Sequence, residues 1–92
     1  MEQARLHVII EGRVQGVGFR HFVLEEAARL GLTGWVRNTW GRTVEVVAEG
    51  ERPLLENLLA RLHEGPRLAR VEHLSVDWEA PRGEFTDFRV TG

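Results

Sequence analysis

The residues best suited to chemistry in this 92-residue chain lie in one run, Gly12-Arg13-Val14-Gln15-Gly16-Val17-Gly18-Phe19-Arg20. The run contains no hydroxyl, thiol, imidazole or carboxylate, so it offers neither a nucleophile nor a base. Its resources are flexible main chain and guanidinium groups. Gly16 and Gly18 can adopt positive φ and leave room for a ligand against the backbone. The N–H groups of Gln15, Gly16, Val17, Gly18, Phe19 and Arg20 can then converge on one anion. Arg20 adds a planar fork that matches a phosphoryl or carboxylate group. The chemistry indicated is capture of a tetrahedral oxyanion, although on spacing alone the glycines also fit a tight strand-to-helix turn. Two familiar phosphate loops do not fit. A P-loop requires a lysine, and all twelve cationic residues here are arginine. A dinucleotide fingerprint requires a glycine three residues after Gly18, where His21 stands, and a parallel sheet larger than this chain can build.

The flanking periodicities identify the elements that hold this loop. Arg5 to Val14 alternates, with Leu6, Val8 and Ile10 on one face and His7 and Glu11 on the other, as a half-buried strand does; Ile9 departs from the pattern. Phe19 to Leu30 changes to helical spacing, with Phe19, Val23, Ala27 and Leu30 on one stripe and Gly31 just past its end. Thr33 to Asn38 and Arg42 to Glu49 read as two strands joined by a hairpin. Pro53 opens a second helix through Leu55, Leu58, Leu59 and Leu62, which Gly65-Pro66 stops. Arg70 to Trp78 alternates again, and a short segment from Phe85 to Val90 follows. This order predicts an α+β fold, a ferredoxin-like βαββαβ sandwich. Two helices cover one face of an antiparallel sheet, and a short extra strand lies at the C-terminus. Right-handed crossovers make the first two strands parallel, with the third between them. The C-terminal ends of strands one and two then share one sheet edge about 10 Å apart, so Asn38 can reach whatever the glycine loop holds.

Length and composition narrow the function classes. A chain of 92 residues predicts one domain over 1–92. The absence of cysteine excludes disulfides, iron–sulfur clusters, thiolate zinc sites and thiol nucleophiles. His7, His21, His63 and His73 show no pair at metal-ligand spacing, so no metal is predicted. The first ten residues carry Glu2, Arg5 and His7, which predicts neither a signal peptide nor a membrane span and makes the cytoplasm the expected location. The net charge of −2 argues against broad nucleic-acid or membrane binding. Its distribution is uneven, because Gly12 to Val44 holds five arginines against Glu25 and Glu26. A positive segment in an acidic chain suits a small anion.

The run from Gly12 to Arg20 resembles the first signature of the acylphosphatases, and Gly34-Trp35-Val36-Arg37-Asn38 with Val44 and Gly50 resembles their second. The resemblance implies a small, metal-free and cofactor-free enzyme that hydrolyses the carboxyl–phosphate bond of acyl phosphates. Arg20 corresponds to the family's phosphate-binding arginine and Asn38 to its water-positioning asparagine. A small-molecule acyl phosphate is the expected partner, with inorganic phosphate as product and competitive inhibitor, no nucleic acid or membrane, and a monomeric state. One departure is visible: Thr39 and Trp40 precede Gly41, where the family usually has three residues between asparagine and glycine. A different turn type, with the site unmoved, is the expectation.

The chemistry stands without the name. A carboxylate departs unprotonated near neutral pH, so no general acid is required. Phosphoryl transfer asks mainly for positioning and charge stabilisation. Asn38 cannot act as a base, but its carboxamide can orient a water. Arg13 and Arg37 are expected on the solvated surface, Trp35 and Trp78 on core or sheet faces, and Trp40 exposed in the hairpin. Two other functions use the same fold. A non-catalytic domain binding phosphate or carbamoyl phosphate would keep the loop, and an RNA-binding module would use the open sheet face. The latter needs aromatic residues on strand three, which Thr43 to Glu49 lacks.

Overall fold

Alternation of apolar and polar residues builds the sheet. The computed structural model describes residues 2–92. It contains β1 (Gln3–Arg13), α1 (Phe19–Leu30), β2 (Thr33–Asn38), β3 (Val44–Glu51), α2 (Arg52–Glu64), β4 (Arg70–Glu79) and β5 (Phe88–Val90). Several expected boundaries shift, three of them for reasons visible in the structure. β1 starts two residues earlier because Gln3 and Ala4 find partners in Glu51 and Gly50. β3 starts two residues later because Arg42 belongs to the turn, where its N–H donates to the Thr39 carbonyl. β5 is shorter than the Phe85–Val90 segment because the residues before it are held by side chains of the sheet's open face.

The sheet order is β4-β1-β3-β2-β5. β3 runs antiparallel to both β1 and β2, so those two are parallel with β3 between them, as the crossovers require. β4 is antiparallel to β1, which completes the antiparallel four-stranded ferredoxin-like sheet. The extra strand differs: β5 pairs parallel with β2, so the sheet as a whole is mixed. The reason is directional. β4 ends at the end of the sheet where β2 begins, and a chain passing directly from one to the other enters alongside β2 in the same sense.

Helices α1 and α2 cover one face. Leu6, Val8 and Ile10 of β1, Val36 of β2, and Val44, Val46 and Ala48 of β3 are completely buried against Val23 and Ala27 of α1 and Leu55, Leu58 and Leu62 of α2. Gly34 lets β2 lie close to β3: at its φ of 140° an added Cβ would stand 1.9 Å from the Val47 carbonyl oxygen.

The opposite face is not simply solvated. Arg5 and Glu49, which alternation assigns to the polar side, are each only 6% exposed and pair at 2.8 Å. The segment between β4 and β5 covers them: the N–H groups of Arg82 and Gly83 donate to the Glu49 carboxylate at 2.9 and 3.0 Å. The Phe85 ring lies 5.3 Å from the Arg5 guanidinium. Burial pushes the Glu49 carboxyl up, but those amides and Arg5 outweigh it and hold it below its ordinary value. Farther along the face, Glu45 joins His7 at 2.7 Å to Arg37, whose guanidinium also lies over Trp35. Trp35 and Trp78 are half-buried and Trp40 is fully exposed.

Candidate functional site

A β-bulge directs the chain into the site. The register between β1 and β4 shifts between Glu11 and Gly12. Gly12 sits at φ 131°, where a Cβ would meet the Arg70 carbonyl oxygen at 2.1 Å, so only glycine allows this approach. Beyond the bulge Val14 is buried in the core and anchors the start of the loop, while Gly16 and Gly18 both take left-handed φ, 74° and 79°. Gly18 is the N-cap of α1, and no side chain caps the helix there. No acidic residue lies in the first turn either. The first N–H groups of the helix therefore remain available to an anion, with the positive end of the helix dipole behind them.

The Gln15 side chain ties the loop to the β2–β3 hairpin. Gln15 Nε2 donates to the carbonyl oxygens of Thr39 and Thr43, each at 2.9 Å. Within the hairpin, the Thr39 N–H donates to the Thr43 carbonyl at 2.9 Å and the two threonine hydroxyls lie 2.7 Å apart. The left-handed residue of this turn is Arg42, at φ 63°, and not Gly41. The displaced glycine thus leaves the conformationally demanding position to an arginine. Asn38, the last residue of β2, follows Gly34 and Val36 on the helix-facing side of the strand and is half-buried.

These pieces enclose a cavity of about 310 Å³ lined by Gly16, Gly18, Phe19, Arg20, His21 and Asn38, with Val14 and Val90 as apolar walls. Five of the residues singled out from the sequence therefore meet around one space. Two do not line it. Val17 is half-buried and packs against the core, and Gln15 faces the hairpin and a neighbouring cavity. Three lining residues, Val14, His21 and Val90, are not among the site residues expected from sequence. His21 directly follows Arg20, and its Nε2 stands 3.5 Å from Glu25 at the surface. Val90 comes from β5, and a three-residue strand carries no period by which to place it. Among the described residues Arg20 forms no ion pair, which leaves its guanidinium free for a ligand. Also among them, no group of three or more histidine and acidic side chains is placed to hold a metal ion, and no helix is long and apolar enough to cross a membrane.

A site that presents main-chain N–H groups and one guanidinium to an anion, with a carboxamide across the cavity, is equipped for phosphoryl transfer to water. Comparison with known proteins agrees. The acylphosphatase family model matches residues 6–90. An acylphosphatase of Pyrobaculum islandicum is 50% identical over 91 residues, covering 98% of this chain and 96% of that one. An acylphosphatase of Thermococcus kodakarensis is 49% identical over the full length of both. The crystal structure of acylphosphatase from Bacillus subtilis superposes with a TM-score of 0.94 at 34% identity, covering 97% of this chain and 99% of that one. With the family model spanning nearly all of the sheet and both signature segments, the chain belongs to the acylphosphatase family, hydrolases of the carboxyl–phosphate bond of acyl phosphates.

Proposed function

We propose that the chain hydrolyses small acyl phosphates without a metal or organic cofactor, with Arg20 and Asn38 as its catalytic residues. The observation that carries this reading is the meeting of the uncapped start of α1, Arg20 and Asn38 around one cavity. The phosphoryl group rests on the N–H groups of Gln15, Gly16, Val17, Gly18, Phe19 and Arg20, with the Arg20 guanidinium neutralising its equatorial oxygens as charge develops. Asn38 holds a water in line with the bond to be broken. The water oxygen forms a bond to phosphorus while the phosphorus–carboxyl oxygen bond breaks, and the carboxylate leaves with the electron pair. A proton of the attacking water passes to a phosphoryl oxygen, which supplies the base that the loop lacks. Inorganic phosphate, the second product, fits the same cradle and competes with substrate. The 1–92 chain acts as one monomeric domain in the cytoplasm.

The test is hydrolysis of benzoyl phosphate in EDTA, with the ester p-nitrophenyl phosphate as control. Rapid hydrolysis of the anhydride alone is expected. Asn38→Ala should lower kcat by about 100-fold, the scale of losing one transition-state hydrogen-bonding group, with an unchanged circular dichroism spectrum. Near-normal turnover in this variant would refute the role given to Asn38. An acid-limb pKa in the rate profile that vanishes on removing one carboxylate would replace substrate-assisted proton transfer with a protein base.

A further inference from the structure

Beside the catalytic cavity lies a second one, of about 430 Å³, lined by Gly12, Arg13, Val14, Gln15, Gly16 and Arg42. The two cavities share Val14 and Gly16, so they open on either side of the same loop. No carboxylate lines either one. Arg13 and Arg42 are both exposed, and among the described residues neither forms an ion pair, whereas Arg5, Arg29, Arg37, Arg61 and Arg89 are each paired within 3.0 Å. Arg42 also occupies a left-handed conformation, φ 63°, that disfavours any L side chain and suits glycine. A glycine is available next door at Gly41 and is not used there. Backbone strain of this kind is retained where the side chain it presents has a use.

We propose that this second cavity receives a negatively charged group at the far end of the substrate's acyl portion, so that Arg13 and Arg42 select acyl phosphates carrying a second anionic group. The inference rests on the phosphoryl cradle proposed above, because only a phosphoryl group seated there brings the acyl portion to the loop. Two guanidinium groups flanking a space without a carboxylate favour an anionic tail over a neutral one of equal length. They act on binding of the tail and take no part in the displacement at phosphorus.

Succinyl phosphate and butyryl phosphate have four-carbon acyl chains and differ in the terminal carboxylate, so the ratio of their kcat/KM values isolates the subsite. Wild type should prefer succinyl phosphate, chiefly through KM. Arg42→Gly, which relieves the φ strain and so should fold at least as well, is expected to lower the ratio about fivefold, the upper range for an exposed charge pair. Arg13→Gln should lower it further, and Arg42→Lys should retain part of it. Raising the salt to about 0.5 M should compress the wild-type ratio, since charges on an open surface are screened. A ratio that is the same in wild type and Arg42→Gly, or that ignores salt, overturns the subsite. Hydrolysis of neither substrate by folded wild type would instead overturn the acylphosphatase reading and the subsite with it.

Discussion

Gln15→Ala removes what is, among the described residues, the only side-chain hydrogen-bonding tie between the phosphate cradle and the hairpin, while leaving the Gln15 N–H in place. Two hydrogen bonds of 2.9 Å are lost, to Thr39 and Thr43. Neither carbonyl is orphaned, because Thr39 still accepts from the Arg42 N–H and Thr43 from the Thr39 N–H. The stability cost is therefore that of two net neutral hydrogen bonds without an added desolvation penalty, about 1–2 kcal/mol at a half-buried position. For a domain with about 5–15 kcal/mol in hand the fold survives, and the cost should appear as a lower urea midpoint with unchanged slope. The catalytic cost is separate. Gln15 precedes Gly16 of the cradle, and Thr39 follows Asn38, so the lost tie sets the distance between bound phosphorus and water. A displacement approaching 1 Å costs up to about 100-fold; we expect a fall in kcat of about tenfold, with little change in competitive inhibition by phosphate. In the Asn38→Ala background the kcat effect should disappear, since the tie then has nothing to position. Loss of stability with wild-type kcat would refute the positioning role, and an unchanged urea midpoint would refute the hydrogen bonds themselves.

Other substitutions probe other parts of the structure. Arg20→Ala should weaken inhibition by inorganic phosphate and lower kcat/KM by about 100-fold, and Arg20→Lys should restore only part because the bidentate fork is lost. Gly34→Ala forces a Cβ toward the Val47 carbonyl oxygen, 1.9 Å away; urea titration should show a loss of at least about 3 kcal/mol, in the range of severe core strain. Acid should destabilise the protein. Glu26, Glu45 and Glu49 are all held below their ordinary value of 4.5, so the unfolded chain binds more protons there. Their contribution is fully present above that value and is lost as pH falls below it through the folded values; a thermal midpoint that rises on acidification would contradict the direction.

Much of this was readable in the residues because local and global signals agree. The stripe Phe19, Val23, Ala27 and Leu30 coincides with α1 as found, and Thr33–Asn38 coincides with β2. Element order and the handedness of the crossovers place Asn38 on the same sheet edge as the glycine loop, and both line the cavity. What escaped is of two kinds. β5 is too short to carry a period, so its parallel pairing and the presence of Val90 in the cavity depend on where the preceding chain travels. The second kind is charge that becomes buried by a distant segment. Arg5 and Glu49 alternate as a solvated face does, and only the passage of Arg82 and Gly83 over that face removes them from water. Arg42 is a mixed case, since the shifted glycine was visible but the residue that takes the positive φ was not.

The strand order has a bearing on how the enzyme comes into being. In β4-β1-β3-β2-β5 only β2 and β3 are neighbours in both sequence and space. The cradle follows β1, Asn38 ends β2, and the two come together through β3, which docks between strands that do not touch each other. Neither half of the chain can assemble a working cavity, and most of the loop closure falls on non-local contacts, which slows folding relative to a helical domain of this size. Activity should therefore return in step with the native state during refolding and precede it in no partly folded form, which makes turnover of an acyl phosphate a direct clock for completion of the sheet.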